Sequence, residues 1–283
     1  MAILRNAFKK NPKHSIRNTR SISKRKISGS ASHSTVKKGK PSLSESQKTI
    51  LILIVATLLI FSAHSTKYFA RPPFDAEFMK EYPVHGVDVS AYQGDINWNT
   101  LYKQGVSFAF IKATEGSSYT DGNFQNNWNH IYRTPIKRGA YHFTSFETPG
   151  KSQAQNFISQ VPKDSEMLPP VIDIEYYGEF NENPPTKSKV ISILVPLIET
   201  LESHYGTEPI IYTNKHFYTT YLKKTFKNPV WISDLDGNKL LPDNNEWDFL
   251  QYTFEGKLDG YEGSEQYIDL NVFNGTLEEL FEY

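Results

Sequence analysis

The chain has 283 residues, 38% of them hydrophobic and 14% aromatic, enough for one large domain with a sizeable core and an appendage. It contains no cysteine, which excludes disulfides, thiolate catalysis and cysteine-held metals. The net charge of zero is a cancellation: of 31 bases and 31 acids, residues 1–48 hold 13 bases and one acid, Glu45, leaving 18 bases and 30 acids for the remainder.

Residues 1–48 mix Lys, Arg, Ser and Asn with few apolar residues and no sustained period, the composition of a disordered tail. A nearly unbroken apolar run follows, Ile50 to Ala63, preceded by Thr49. It is a little shorter than the roughly 17–25 residues of a spanning helix, yet flanking residues can snorkel. Ala63-His64-Ser65 offers a loose small-x-small cleavage site, but the basic stretch before it is far longer than that of a usual signal peptide. The pattern therefore predicts a signal anchor over 49–63, with the basic tail in the cytoplasm and the acidic body outside the membrane; secretion after cleavage is the alternative. This membrane role accounts for the basic charge without invoking nucleic acid. A linker containing Arg71-Pro72-Pro73 occupies 64–81, and one domain is expected over 82–283.

Within that domain eight short β-branched or aromatic runs read as strands: Val84–Ser90, Phe108–Lys112, Gly139–Phe143, Val171–Tyr176, Ile210–Thr213, Val230–Ser233, Phe249–Thr253 and Tyr267–Val272. Phe124, Trp128, Ile131 and Tyr132 follow helical spacing, as do Val190, Ile191, Leu194, Leu197, Ile198, Leu201 and Tyr205, with Pro196 expected to kink or shorten that helix. Lys151–Gln160 is a third helix. Alternating strands and helices predict an α/β fold with a parallel sheet, and eight strands a barrel. About 200 residues is the lower size limit of such a barrel, so helices should be missing late in the chain.

The most informative stretch is Val171-Ile172-Asp173-Ile174-Glu175. Side chains alternate across a strand, so Asp173 and Glu175 share a face. Crowding two carboxylates near apolar surface raises at least one pKa, which suits a general acid kept protonated near neutral pH. Further polar residues gather where a barrel keeps its working groups, at strand C-termini: Asp88, Tyr92, Tyr141, Tyr212, Trp231, Gln251, Tyr252 and Asp269. Glu115 reads as a structural group holding loops, and His142, lying between aromatics, as a hydrogen-bonded core histidine. No cluster has metal-ligand spacing and no glycine-rich phosphate loop occurs, so neither cofactor nor metal is expected.

The order of these motifs resembles the family 25 glycoside hydrolases, the Chalaropsis-type N-acetylmuramidases. The resemblance runs from about His85 to Phe273 and rests on Asp88-Val89-Ser90-x-Tyr92-Gln93-Gly94-x-Ile96-x-Trp98, Lys112-Ala113-Thr114-Glu115-Gly116, Gly139-Ala140-Tyr141-His142-Phe143, Asp173-Ile174-Glu175 and Asp269-Leu270-Asn271-Val272-Phe273. It implies a shortened, irregular (β/α) TIM-like barrel that cleaves the β-1,4 bond between N-acetylmuramic acid and N-acetylglucosamine in peptidoglycan. It also implies that Glu175 is the general acid, that Asp173 is its partner, and that Asp88 and Asp269 are two further acids of the site. Tyr92, Tyr141, Tyr212, Trp231, Gln251 and Tyr252 are expected to contact glycan strands. Two departures stand out: Asn97 where the family commonly has Asp, and Ser233-Asp234 after Trp231-Ile232. The alternatives are hydrolysis of another N-acetylated polysaccharide such as chitin, or a wall-binding module without catalysis.

Overall fold

A computed structural model describes residues 80–235, 241 and 246–283. The expected tail, apolar segment and most of the linker lie outside the described residues, and among the described residues no helix is long and apolar enough to cross a membrane.

The strands are β1 (Val84–Val89), β2 (Val106–Glu115), β3 (Tyr119–Thr120), β4 (Lys137–Phe143), β5 (Val171–Asp173), β6 (Ile210–Asn214), β7 (Val230–Ser233), β8 (Phe249–Gly256) and β9 (Ile268–Phe273). All but β3 close into an eight-stranded barrel in the order β1-β2-β4-β5-β6-β7-β8-β9, with β9 returning to β1. Every expected strand is present. β3 is an additional short strand folded back antiparallel onto the end of β2. The expectation of a parallel sheet needs correction at the last strand, because β9 runs antiparallel to both β8 and β1. The cause is chain length: a parallel return needs a crossover of a dozen or more residues, usually helical. Residues 257–267 between β8 and β9 form no helix and let the chain turn straight back.

The helices α1 (Trp98–Lys103), α2 (Phe124–Ile131), α3 (Gly150–Gln160) and α4 (Lys187–Tyr205) clothe the first half of the barrel, and α5 (Leu277–Glu282) closes the chain after β9. Asn97, the first departure from the family pattern, caps α1: its side-chain oxygen accepts from the Thr100 N–H at 3.1 Å, a job Asn does as well as Asp. Contrary to expectation, Pro196 does not shorten α4, which runs unbroken from its Thr186 cap to Gly206. The missing donor deprives the carbonyl of Ser192, an exposed residue, where solvent can substitute. The apolar face of α4, Val190, Ile193, Leu194, Leu197 and Leu201, is buried and holds the helix in place.

Period-2 alternation divides the core. Val87, Ile111, Ala140, Ile172, Ile174, Ile211, Ile232 and Leu250 point outward into a layer shared with the helices. Val84, Phe108, Phe110, Val171, Ile210, Trp231, Phe249 and Phe273 point inward and fill the lower barrel. Phe110 stacks on Trp231 with centroids 4.5 Å apart and meets Phe249 edge-on at 5.1 Å. Two glycines make room for this plug. A Cβ on Gly86 would lie 2.4 Å from the Phe108 ring, and one on Gly139 would lie 2.5 Å from Phe110.

Candidate active site

Two residues further along the same strands, about 6.6 Å at strand pitch, the inward positions turn polar. On β1 the inward series Val84, Gly86 continues to Asp88. On β2 the series Phe108, Phe110 continues to Lys112, and on β5 Val171 is followed by Asp173. The strand ladder of β5 ends at Asp173, three residues before the expected end. Hydrogen bonds from the Ile174 N–H to the Tyr212 carbonyl (3.0 Å) and from the Thr213 hydroxyl to the Ile174 carbonyl (2.7 Å) tie the next residue to β6. β9 contributes Asp269 and Asn271, and its register places Asp269 directly opposite Asp88.

The four acids expected from the sequence are thus brought to one rim. Asp88 and Asp173 are 8% and 7% exposed, so both are held almost out of water. Burial pushes all four carboxyls up. For Asp173 the Glu175 charge adds to burial, and this carboxyl lies well above the ordinary range. Glu175 is raised by burial, with the Asp88 charge contributing in the same direction. Asp269 is also held well above the usual range, by burial and then by Asp88. Asp88 is raised by burial but pulled back by the donors Asn271 and Gln251. Among the described residues, Asp173 Oδ1 is buried without a hydrogen-bond partner.

Among the described residues, one buried cation lies beside the acids. Lys112 is 5% exposed, donates to Glu115 at 2.8 Å and sits 5.0 Å from the Phe143 ring centroid. Its charge opposes the upward shifts of Asp173 and Glu175. Lys112 was not singled out from the sequence, although the alternation Phe108, Phe110, Lys112 points it inward. Glu115, expected to hold loops through hydrogen bonds, instead pairs with Lys112 on the same strand as its counter-charge. His142 is a hydrogen-bonded core residue, facing outward between Thr114 Oγ1 (2.7 Å) and Gln153 Oε1 (3.0 Å), and burial lowers its pKa to about 4.

The other expected contacts divide by position. Tyr141 and Tyr212 line the interior beside the acids, and burial with the neighbouring carboxylate charges raises both phenols well above their usual range. Gln251 accepts from the Tyr212 hydroxyl at 2.8 Å and donates to Asp88 at 2.9 Å. Tyr92 stands 47% exposed on the turn after β1. Trp231 is inside the barrel but only 2% exposed, its N–H donated to Asn271 at 2.9 Å. Tyr252 lies in the outer layer between strands and helices rather than with the inward-facing set. Of the second departure from the family pattern, Ser233 donates to Gln251 at 3.0 Å and Asp234 forms a buried ion pair with Lys215 at 2.6 Å.

Beyond Glu175 the loops after β4, β5 and β6 build an aromatic wall that no strand or helix period announces. Tyr177 stacks on Phe146 at 5.4 Å, and Tyr176 packs against Phe217 at 5.0 Å and His216 at 5.7 Å. The site as a whole offers paired carboxyls whose proton affinity is raised by burial, an inward-facing unpartnered oxygen and a neighbouring cluster of aromatic rings. That is the equipment of acid catalysis on a neutral, hydroxyl-rich substrate.

Residues 87–261 match the family described as Glycosyl hydrolases family 25. Among solved structures, that of a family 25 glycosyl hydrolase from Bacillus anthracis is similar with a TM-score of 0.69 and 47% identity, covering 72% of this chain and 95% of that one. Among curated relatives, Lysozyme M1 of Streptomyces globisporus is 31% identical over 215 residues, 70% of each chain. The N,O-diacetylmuramidase of Chalaropsis sp is 33% identical over 148 residues, 48% of this chain and 69% of that one.

Proposed function

The chain belongs to the family 25 glycosyl hydrolases, and from that premise we propose how its rim of acids cleaves peptidoglycan between N-acetylmuramic acid and N-acetylglucosamine. It is a glycoside hydrolase of the lysozyme type. The observation that carries the mechanism is the pairing of Asp173, with its unpartnered Oδ1, and Glu175 at the end of one strand.

In our reading Glu175 is the general acid. Burial raises the proton affinity of both carboxyls, and the Glu175 charge raises that of Asp173 further, so the pair favours holding one proton between them. When the acetamido N–H of the bound sugar donates to Asp173 Oδ1, Asp173 is favoured as the anion and the proton is left on Glu175. Glu175 then protonates the glycosidic oxygen as the C1–O bond breaks. The acetamido carbonyl oxygen, turned by Asp173, forms the new bond to C1. Water next attacks C1 as the bond from the acetamido oxygen to C1 breaks and the acetamido group is regenerated, and it gives its proton to the Glu175 carboxylate, which restores the acid and yields net retention of configuration. Asp88 and Asp269 keep the interior negative and so favour the cationic transition state. Tyr92, Tyr141 and Tyr212 are proposed as sugar contacts.

The location we propose is outside the cytoplasm, with residues 1–48 as a cytoplasmic tail and 49–63 as an anchor. The basic tail and the apolar run support this reading. Protease added to spheroplasts should then remove the domain at 82–283, and its full protection would exclude this topology.

The decisive experiment for the activity is mass analysis of fragments released from purified peptidoglycan. N-acetylmuramic acid should stand at the new reducing ends. Chitin cleaved as readily would replace the substrate, and wall binding with no new reducing ends would replace the activity.

A further inference from the structure

Asp88 and Asp269 face each other in register across β1 and β9, and two such carboxyls share a proton rather than both ionise. Which of them keeps it is set by a chain of donors that begins at an indole. Trp231 Nε1 donates to Asn271 Oδ1 at 2.9 Å. An indole N–H only donates, so the Asn271 amide has one permissible orientation, carbonyl toward Trp231 and NH₂ toward Asp88. The Asn271 NH₂ lies 2.8 Å from Asp88 Oδ2. Gln251 Nε2 reaches the same oxygen at 2.9 Å and Asp269 Oδ2 at a longer 3.3 Å, while its carbonyl accepts from Tyr212 and Ser233. Asp88 Oδ2 therefore receives two N–H donors and has no room for a proton of its own.

We infer that Asn271, oriented by Trp231, and Gln251 are positioning residues that put the shared proton on Asp269 and hold Asp88 as the fixed anion of the site. Among the described residues, the remaining titratable and charged groups facing this interior are Lys112 from β2, Tyr141 from β4, Asp173 and Glu175 at the end of β5, and Tyr212 from β6. Only Lys112 among them is a cation, and it is committed to Glu115. An anion at Asp88 is a like charge for Glu175 and helps that carboxyl retain its proton. The inference rests on the hydrolase reading only for its kinetic test.

The direct test needs no substrate. In the full-length chain with ¹³C-labelled aspartate carboxyls, the two resonances are assigned from Asp88→Asn and Asp269→Asn. Asp269 should be the higher-titrating member, and Asn271→Leu should shift proton occupancy toward Asp88. A higher-titrating Asp88 in the unmodified chain, or no change in Asn271→Leu, overturns the inference.

The kinetic test uses reducing-end release from peptidoglycan. In Asn271→Leu, Asp88 loses a donor, so it ionises at higher pH and the acidic limb of the profile moves up. Where Asp88 is neutral, Glu175 loses its proton more easily, so the basic limb moves down. The bell should narrow by about one pH unit on each side, with kcat lower on the order of tenfold and KM little changed. Trp231→Phe removes the indole N–H together with the five-membered ring, so it should give the same narrowing in smaller degree, beside the lower melting temperature that the lost packing brings. It also serves if Asn271→Leu does not fold. A purely structural role would lower the melting temperature and the amplitude while leaving both limbs in place, and that result overturns the assignment. Failure of the hydrolase reading would show instead as an unmodified chain without activity, with the carboxyl titration still readable.

Discussion

The lower and upper halves of the barrel interior are built by the same strands and differ in everything else. Phe108, Phe110, Trp231, Phe249 and Phe273 pack the lower half dry, while Asp88, Lys112, Asp173 and Asn271 occupy the next inward positions above them, with Asp269 one step beyond Asn271. The lower half explains the behaviour of the upper. Carboxyls seated on a bed of rings lose water, and burial is the leading cause of the upward shift at each of the four acids. In the proposed mechanism the plug therefore serves the acids as well as the core.

The largest expected effect comes from removing the acid at the top. Glu175→Gln keeps the shape but has no acidic proton, and the rate of reducing-end release should fall by about 10²–10⁴-fold or more with the fold unchanged by circular dichroism. Asp173→Asn should also lower the rate and weaken the preference for substrates bearing the 2-acetamido group. Proton NMR of the first-formed anomer should show retention, and inversion would rule out participation by that group.

Breaking the lower half should act on stability first. Phe110→Ala removes a ring in contact with Phe108, Phe249 and Trp231, and denaturant unfolding should show a loss of about 3–5 kcal/mol. Gly139→Ala forces a methyl into the Phe110 ring and should cost about 1–3 kcal/mol.

The opposite sign is expected for the upper half. Asp269 is raised well above its unfolded value, so its contribution to stability is complete below the unfolded pKa and is lost as pH rises through the folded one. Asp269→Asn removes that loss. At neutral pH its melting temperature should exceed the unmodified chain's by about 2–4 °C, the shift for roughly 1 kcal/mol in a domain of this size, and the gain should vanish near pH 3 while activity falls throughout. The smallest effect is expected outside the barrel. Tyr252→Phe should leave kcat/KM within about twofold, because its ring packs in the outer layer.

Much of this arrangement was legible in the chain. Strand positions followed from β-branched runs, and the shared face of Asp173 and Glu175 from period-2 alternation. The helix of Val190–Tyr205 was legible too, but Pro196 was expected to kink or shorten it, because the sequence does not reveal that the carbonyl it orphans belongs to an exposed residue. The parallel sheet failed only at β9, where direction depends on how an 11-residue connection folds. Alternation sets Lys112 on the face of Phe108 and Phe110, but a lysine in a strand ordinarily faces water, and only the closed barrel buries that face.

What the sequence by itself determined is local: which residues alternate, which cap, and which acids lie two apart on one strand. These follow from backbone geometry and need no partner. What only the tertiary structure decided is non-local. It set Asp269 against Asp88 across 181 positions of chain, placed Asn271 between Trp231 and Asp88, and carried Tyr252 into the outer layer. Those outcomes depend on barrel closure and strand direction, which arise from the packing of all eight strands together.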